Sequence, residues 1–184
     1  MSTLQLNREE FGPWRVPEDM TADFEVATGA TLHLRPIRAE DAEKLVAFHA
    51  HLSFDSIYRR YFSLHPVLST DEVTHFTQVD YVDRMAFIIE DGEELVAVGR
   101  YDRHPHSSSA EVAFVVRDDY QHLGLGRRLL SALAKAAWER GITTLCAETL
   151  SSNHDMLAVF RHSGFLITTT SEYGEISVRL AIGP

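Results

Sequence analysis

Apolar and polar positions alternate through Thr31-Leu32-His33-Leu34-Arg35-Pro36-Ile37, and a period of two predicts a strand. The spacing then lengthens. Across residues 39–52 the apolar positions Ala42, Leu45, Val46 and Phe48 recur as on one face of a helix. Residues 54–62 predict a second short helix, with Ile57, Tyr58, Tyr61 and Phe62 as its apolar side. Ser69 and Glu72 have the spacing of a capping box and open a third helix that runs to about Gln78.

Strand spacing returns at residues 85–90 and 95–101, on either side of Asp91-Gly92, a hairpin signal. Residues 110–116 are rich in valine and apolar nearly throughout, which predicts a strand buried on both faces and makes Glu111 stand out. Residues 125–140 are the clearest helix, with Leu129, Leu130, Leu133, Ala137 and Trp138 inward and Arg127, Arg128, Lys135 and Arg140 outward. Gly141 closes it. A strand at 143–150 follows, then a helix capped by Ser152 with Asp155 and running through His162 to Gly164. Residues 165–171 and 176–181 form a closing hairpin around Tyr173-Gly174.

The segment 110–150 is strand-helix-strand, which forms a right-handed parallel crossover, and the remaining strands pair antiparallel. The expectation is an α/β domain of mixed α+β character. It has one mixed, mostly antiparallel sheet, helices on both faces and one parallel β-α-β crossover. Residues 1–30 lack clean periodicity and are punctuated by Pro13, Pro17 and Gly29. They read as an N-terminal arm packing through Phe11, Trp14 and Phe24, with the domain proper at 31–184.

Composition changes the picture little. The 184 residues suit one domain with a full core, and 45% apolar with 24% charged residues is ordinary globular usage. No apolar run reaches the roughly 20 residues of a membrane helix. The first 20 residues lack the apolar core of a secretory signal. With one cysteine, Cys146, no intrachain disulfide can form, and a cytoplasmic location is expected. Cys146 itself reads as a buried packing residue. The net charge of −10 disfavours nucleic acid and membrane surfaces as partners and suits a cationic one. Ten histidines include the pairs His49/His51 and His104/His106, but no spacing typical of zinc, so no metal is expected.

One loop carries candidate chemistry. Gln121-His122-Leu123-Gly124-Leu125-Gly126 joins the valine-rich strand to the long helix. Helix N-termini offer unpaired N–H groups and partial positive charge to an anion, and Gly124 and Gly126 let the backbone come close. A plain strand-to-helix turn has the same appearance. Two nucleotide loops are excluded. No Gly-x4-Gly-Lys string is present, and the third glycine of the dinucleotide fingerprint falls on Leu129, although Glu148 stands near the distance of a ribose-binding acid.

The stretch from Val116 to Gly126 resembles the acyl-CoA signature of the GNAT N-acetyltransferases: an Arg or Gln, two variable residues, Gly, one variable residue, then Gly or Ala. A second family segment matches residues 153–165, and the resemblance covers about residues 32–180. Leu34-Arg35-Pro36-Ile37-Arg38, the aromatic cluster at 58–62, Gln78-Val79-Asp80-Tyr81 and Ala110-Glu111-Val112-Ala113 are similar to the GNAT domain of bacterial protein lysine acetyltransferases. Several of those proteins also carry a regulatory module, for which these 184 residues leave no room.

The resemblance implies a GNAT-like fold, acetyl-CoA as co-substrate and an amine acceptor, either a protein lysine or a small molecule. Oligomeric state stays open, a homodimer included. Main-chain groups of Phe114, Val115 and Val116 would bind the pantetheine arm. The amides of Gln121, His122, Leu123, Gly124, Leu125 and Gly126, with Arg127, would hold the pyrophosphate. Asn153 matches a cofactor-binding position and is equally a helix cap. Glu111 matches the glutamate base of the lysine-acetylating branch, with burial expected to raise its pKa. Glu148 is the second candidate base, and a strand-edge ion pair is the bland alternative for Glu111. The family's usual tyrosine acid falls on Phe160, so the thiolate leaves unassisted or takes a proton from water or another residue. An acyl-CoA-binding module without turnover is the alternative of a different class.

Overall fold

The protein is described by a computed structural model covering residues 16–183. The expected leader contributes to the sheet. Residues Ala22–Glu25 form a strand, β1, antiparallel to β2 (Thr31–Pro36), and Phe24 of β1 is buried. Four residues are too few for a periodicity to show, and β1 exists because β2 offers it a ladder. Phe11 and Trp14 lie outside the described residues.

Three helices follow: α1 (Ala42–Ala50), α2 (Phe54–Tyr61) and α3 (Thr70–Thr77). The expected capping box opens α3, since Ser69 Oγ accepts the Glu72 N–H and Glu72 accepts the Ser69 N–H. Then come β3 (Arg84–Asp91), β4 (Glu94–Arg103), β5 (Ser109–Val116), α4 (Leu125–Glu139), β6 (Thr144–Leu150), α5 (His154–Arg161), β7 (Leu166–Glu172) and β8 (Glu175–Ala181). The eight described strands form one sheet in the order β1-β2-β3-β4-β5-β6-β8-β7. Only β5 and β6 pair parallel within it, and α4 is the crossover between them.

The register of that parallel pair positions the site. Ser109, Ala110 and Glu111 of β5 pair with Thr144, Leu145 and Cys146 of β6, and pairing stops there. On its other edge β5 stays paired with β4 through Val116. From Val112 onward, β5 therefore presents unpaired main-chain groups toward the gap. Such groups need a partner once water is excluded.

Three expectations are corrected. First, β5 is buried on one face only. Ala110, Val112 and Phe114 are buried, whereas Glu111 is exposed and Ala113, Val115 and Val116 are half-buried. A valine-rich strand can sit beside a gap because the gap is itself lined with apolar surface. Second, Trp138 is 45% exposed, its ring lying on Gly183 near the C-terminus, while Ala134, Ala136 and Arg140, the last of these expected outward, are buried along α4. Third, Cys146 is half-buried on the face that carries Glu111.

A buried charge cluster ties the first half of the chain together. The Arg35 guanidinium donates two hydrogen bonds to Glu90, at 2.7 and 2.9 Å, and two to Asp41, at 2.8 and 2.7 Å. The β3–β4 register shifts between Ile89 and Glu90, a bulge beside which Glu90 meets Arg35.

Candidate active site

After β5, a 3-10 turn at Asp118–Tyr120 leads into the loop that opens α4. Gly124 is the N-cap of α4, with φ 81°, in the left-handed region that glycine enters without steric cost. No side chain caps this helix, so its first N–H groups face outward unpaired. No atom lies within 4 Å of where a Gly124 Cβ would stand. Gly126 serves a different purpose. A Cβ there would come within 3.2 Å of Val159 Cγ2, so this glycine allows α4 and α5 to approach.

A cleft of about 420 Å³ runs along this loop and the open edge of β5. All of the expected cofactor residues except Leu123 line it: Phe114, Val115, Val116, Gln121, His122, Gly124, Leu125, Gly126, Arg127 and Asn153. Arg59 and Arg60 of α2, Asp155 and Val159 of α5, and His162 also line it. The sequence reading missed these. The adjacent arginines in an acidic chain were the available signal, but nothing local says which wall α2 forms. The cations stand in a chain of net charge −10. Asp155 meets two of the groups, lying 4.0 Å from Arg59 and 3.7 Å from His122.

The loop is braced from both sides. Tyr120 donates its hydroxyl to Asp91 at 2.7 Å, and that bond pushes the phenol up to about 12. Asp118 accepts from the Ser53 N–H at 2.9 Å, the Ser53 hydroxyl at 2.6 Å and the Ser56 hydroxyl at 2.9 Å. Partial burial acts to raise the Asp118 pKa, but the bonds from Ser53 and Ser56 outweigh it and hold the carboxyl below its ordinary range. The Gln121 side chain donates to Ser56 Oγ and to the Val116 carbonyl, both at 3.2 Å. Gln121 is thus a brace between α2 and the end of β5.

Asn153, not Ser152, caps α5. Its Oδ1 accepts the Met156 N–H at 3.2 Å, and the residue is buried in the wall of the cleft. The cap uses only the carbonyl oxygen, so the side-chain N–H2 can still donate to a ligand. Phe160 is buried with its ring 5.8 Å from that of Phe114, and it closes the apolar face of β5.

Glu111 and Glu148 do not line the cleft. Both are exposed, so the desolvation expected of Glu111 is absent. What distinguishes Glu111 is its place in the register. It is the last residue of β5 paired with β6, and it stands where the two strands part. Its partner is Cys146, and Glu148, two residues further along β6, shares that face. Among the described residues no group of three or more His, Cys, Asp or Glu could hold a metal ion. No described helix is long and apolar enough to cross a membrane.

The residues fit an acyl-CoA. The open β5 edge offers main-chain groups to an amide-bearing arm, the uncapped start of α4 offers N–H groups to a pyrophosphate, and Arg59 and Arg127 supply positive charge. Acetyltransferase Pat from Mycolicibacterium smegmatis is 29% identical over 164 residues, covering 87% of this chain and 48% of the relative. The beta-lysine N(6)-acetyltransferase of Methanococcus maripaludis is 25% identical over 140 residues, covering 76% of this chain and 47% of that protein. The chain therefore spans about half the length of these curated relatives. The solved GNAT domain of S. lividans PAT superposes with a TM-score of 0.84 at 36% identity, covering 91% of this chain and 99% of that domain. Residues 51–165, more than half of the chain, match the Acetyltransferase (GNAT) family, and the protein belongs to that family of acetyl-CoA-dependent transferases.

Proposed function

We propose that the chain acetylates the side-chain amine of protein lysines by direct attack in a ternary complex, with Glu111 as the general base. The observation that carries this reading is the place of Glu111 at the fork of β5 and β6, at the head of the open β5 edge. In the reaction the amine nitrogen attacks the thioester carbon, the C–S bond breaks, and CoA leaves as its thiolate. The acceptor's ammonium proton passes to Glu111 and on to solvent before the attack, and the proton left on the attacking nitrogen follows to solvent as the amide forms.

A lysine amine has an ordinary pKa near 10.4, so freeing its lone pair at pH 7 costs roughly 4.6 kcal/mol. An exposed carboxylate helps by attracting the ammonium and by relaying its proton. This places its effect near the lower end, about 10²-fold, of what general bases deliver. A main-chain N–H on the open part of β5 is the natural donor to the oxyanion. Phe160 puts no phenol at the position of the family's usual tyrosine acid, so the thiolate leaves unassisted or takes its proton from water or another residue. Pat of M. smegmatis and S. lividans PAT support a protein acceptor. The beta-lysine N(6)-acetyltransferase supports a second reading, a small amine.

The test is incubation with acetyl-CoA and, in parallel, a protein mixture and a panel of small amines, read by mass spectrometry. Protein acetyl-lysine is the expected product. Modification of small amines alone replaces the protein reading with the second one. CoA binding without any product replaces both with a non-catalytic binding module.

A further inference from the structure

Arg100 sits in β4, next to β5, and is buried at 9% exposure. Its Nη1 has no hydrogen-bond partner among the described residues and no contact with solvent. The guanidinium lies over the Phe76 ring, 3.5 Å from the centroid. Such a contact offsets only part of what an unpaired buried charge costs. The other buried arginines are provided for. Arg35 has Asp41 and Glu90, and Arg140 donates to the Ala136 carbonyl.

The carboxylates within electrostatic reach of Arg100 are engaged elsewhere. Asp102 lies 3.8 Å from His75, and Glu72 is bound to Ser69 and 2.9 Å from His65. The neighbouring cation Arg60 opposes the charge further. Burial first, then Arg60, push Arg100 down to about 9, which leaves it protonated at neutral pH.

Register fixes where this cation stands relative to the reaction. Arg100 is opposite Ala113 on β5, and Glu111 is two residues back on the same face. That diagonal corresponds to roughly 7–8 Å between the strands. Arg60 lines the cleft itself. One carboxylate brought between them would pair Arg100 and offset its repulsion with Arg60 at once. A planar guanidinium also suits the two oxygens of a carboxylate better than an ammonium does.

We propose that Arg100, assisted by Arg60, binds a carboxylate carried by the acceptor, so that the amines this chain accepts are those with an acidic group close to the reacting nitrogen. This rests on the proposed acetylation of an amine and not on which residue is the base. The carboxylate is either the free one of an amino acid or an acidic side chain beside the acceptor lysine.

Binding to the full chain in the presence of CoA tests it. The probes are Nε-acetyllysine and monoacetylated cadaverine, which differ in the carboxylate alone. A second pair is a peptide with blocked termini and its acetyl-lysine beside either glutamate or glutamine. The carboxylate-bearing member of at least one pair is expected to bind about tenfold more tightly. The pair that shows the preference identifies the source. Arg100→Gln erases the preference and Arg100→Lys keeps part of it, with CoA affinity as the fold control. Equal binding within both pairs, or a preference that survives Arg100→Gln, overturns the inference. The wild-type comparison decides even where a variant does not fold. Because the readout is binding, loss of the Glu111 assignment in turnover experiments leaves it unaffected.

Discussion

Asp118 holds Ser53 by both of its oxygens: Oδ2 accepts the main-chain N–H at 2.9 Å and Oδ1 accepts the hydroxyl at 2.6 Å. Ser53 is the N-cap of α2, and Asp118 begins the turn that leads to the loop opening α4. One carboxylate therefore fixes the helix bearing Arg59 and Arg60 against the loop bearing Gly124. Asp118→Ala is expected to raise the KM for acetyl-CoA severalfold and to cost about 1 kcal/mol of stability, less than a buried charge-assisted bond because solvent screens the exposed carboxylate. Asp118→Asn keeps an acceptor oxygen and should lose less. The folded-state carboxyl lies below its ordinary value, so the tie is complete above about pH 4 and is lost as pH falls through the lowered value. Steady-state kinetics and denaturant titrations across that range check both statements.

Glu111→Gln separates base catalysis from cofactor binding. Turnover should fall about 10²-fold near pH 7.5, with CoA affinity unchanged. The deficit should shrink as pH rises toward the lysine pKa of about 10.4, because more acceptor then arrives deprotonated. Turnover that is untouched by the substitution moves the base elsewhere, with Glu148→Gln the next variant to assay.

The two glycines of the loop should fail for different reasons. Gly124→Ala forces a side chain into φ 81°, at a cost of about 1–2 kcal/mol, and should weaken acetyl-CoA binding because the helix start shifts. Gly126→Ala instead presses on Val159. Val159→Ala should relieve the second substitution and leave the first unrelieved. Thermal unfolding of the single and double variants reads this coupling directly.

The Arg35 cluster should govern acid stability. Burial raises the pKa values of Glu90 and Asp41, but the hydrogen bonds from Arg35, joined by Lys44 at Glu90, outweigh it and leave both carboxyls below their ordinary values. Their contribution is therefore present above about pH 4.5 and lost as pH falls through the lowered values. Arg35→Met leaves Glu90 with Lys44 alone and Asp41 with the Arg38 N–H alone, and is expected to cost about 3 kcal/mol at neutral pH, the low end for breaking a buried pair. Arg35→Lys should recover little, since an ammonium cannot serve both carboxylates bidentately. Urea denaturation at pH 4 and pH 7 measures the difference.

Local chemistry was legible in the sequence wherever neighbours along the chain decide the outcome. The capping box of Ser69 and Glu72, the hairpin at Asp91-Gly92 and the long amphipathic helix α4 depend on spacing and on φ/ψ preferences within a few residues. The candidate loop at 121–126 was readable for the same reason: a strand, a tight turn and a helix start are contiguous. Tertiary structure decided the rest. Strand β1 exists because β2 pairs with it. Glu111 stands at a fork because β5 and β6 part after one short parallel run. Arg59 and Arg60 reach the cleft because Asp118 holds α2 against the loop, and Arg100 lacks a carboxylate because its neighbours across the fold are committed to other partners. Each of these depends on residues far apart in the chain, whose proximity no period or motif encodes.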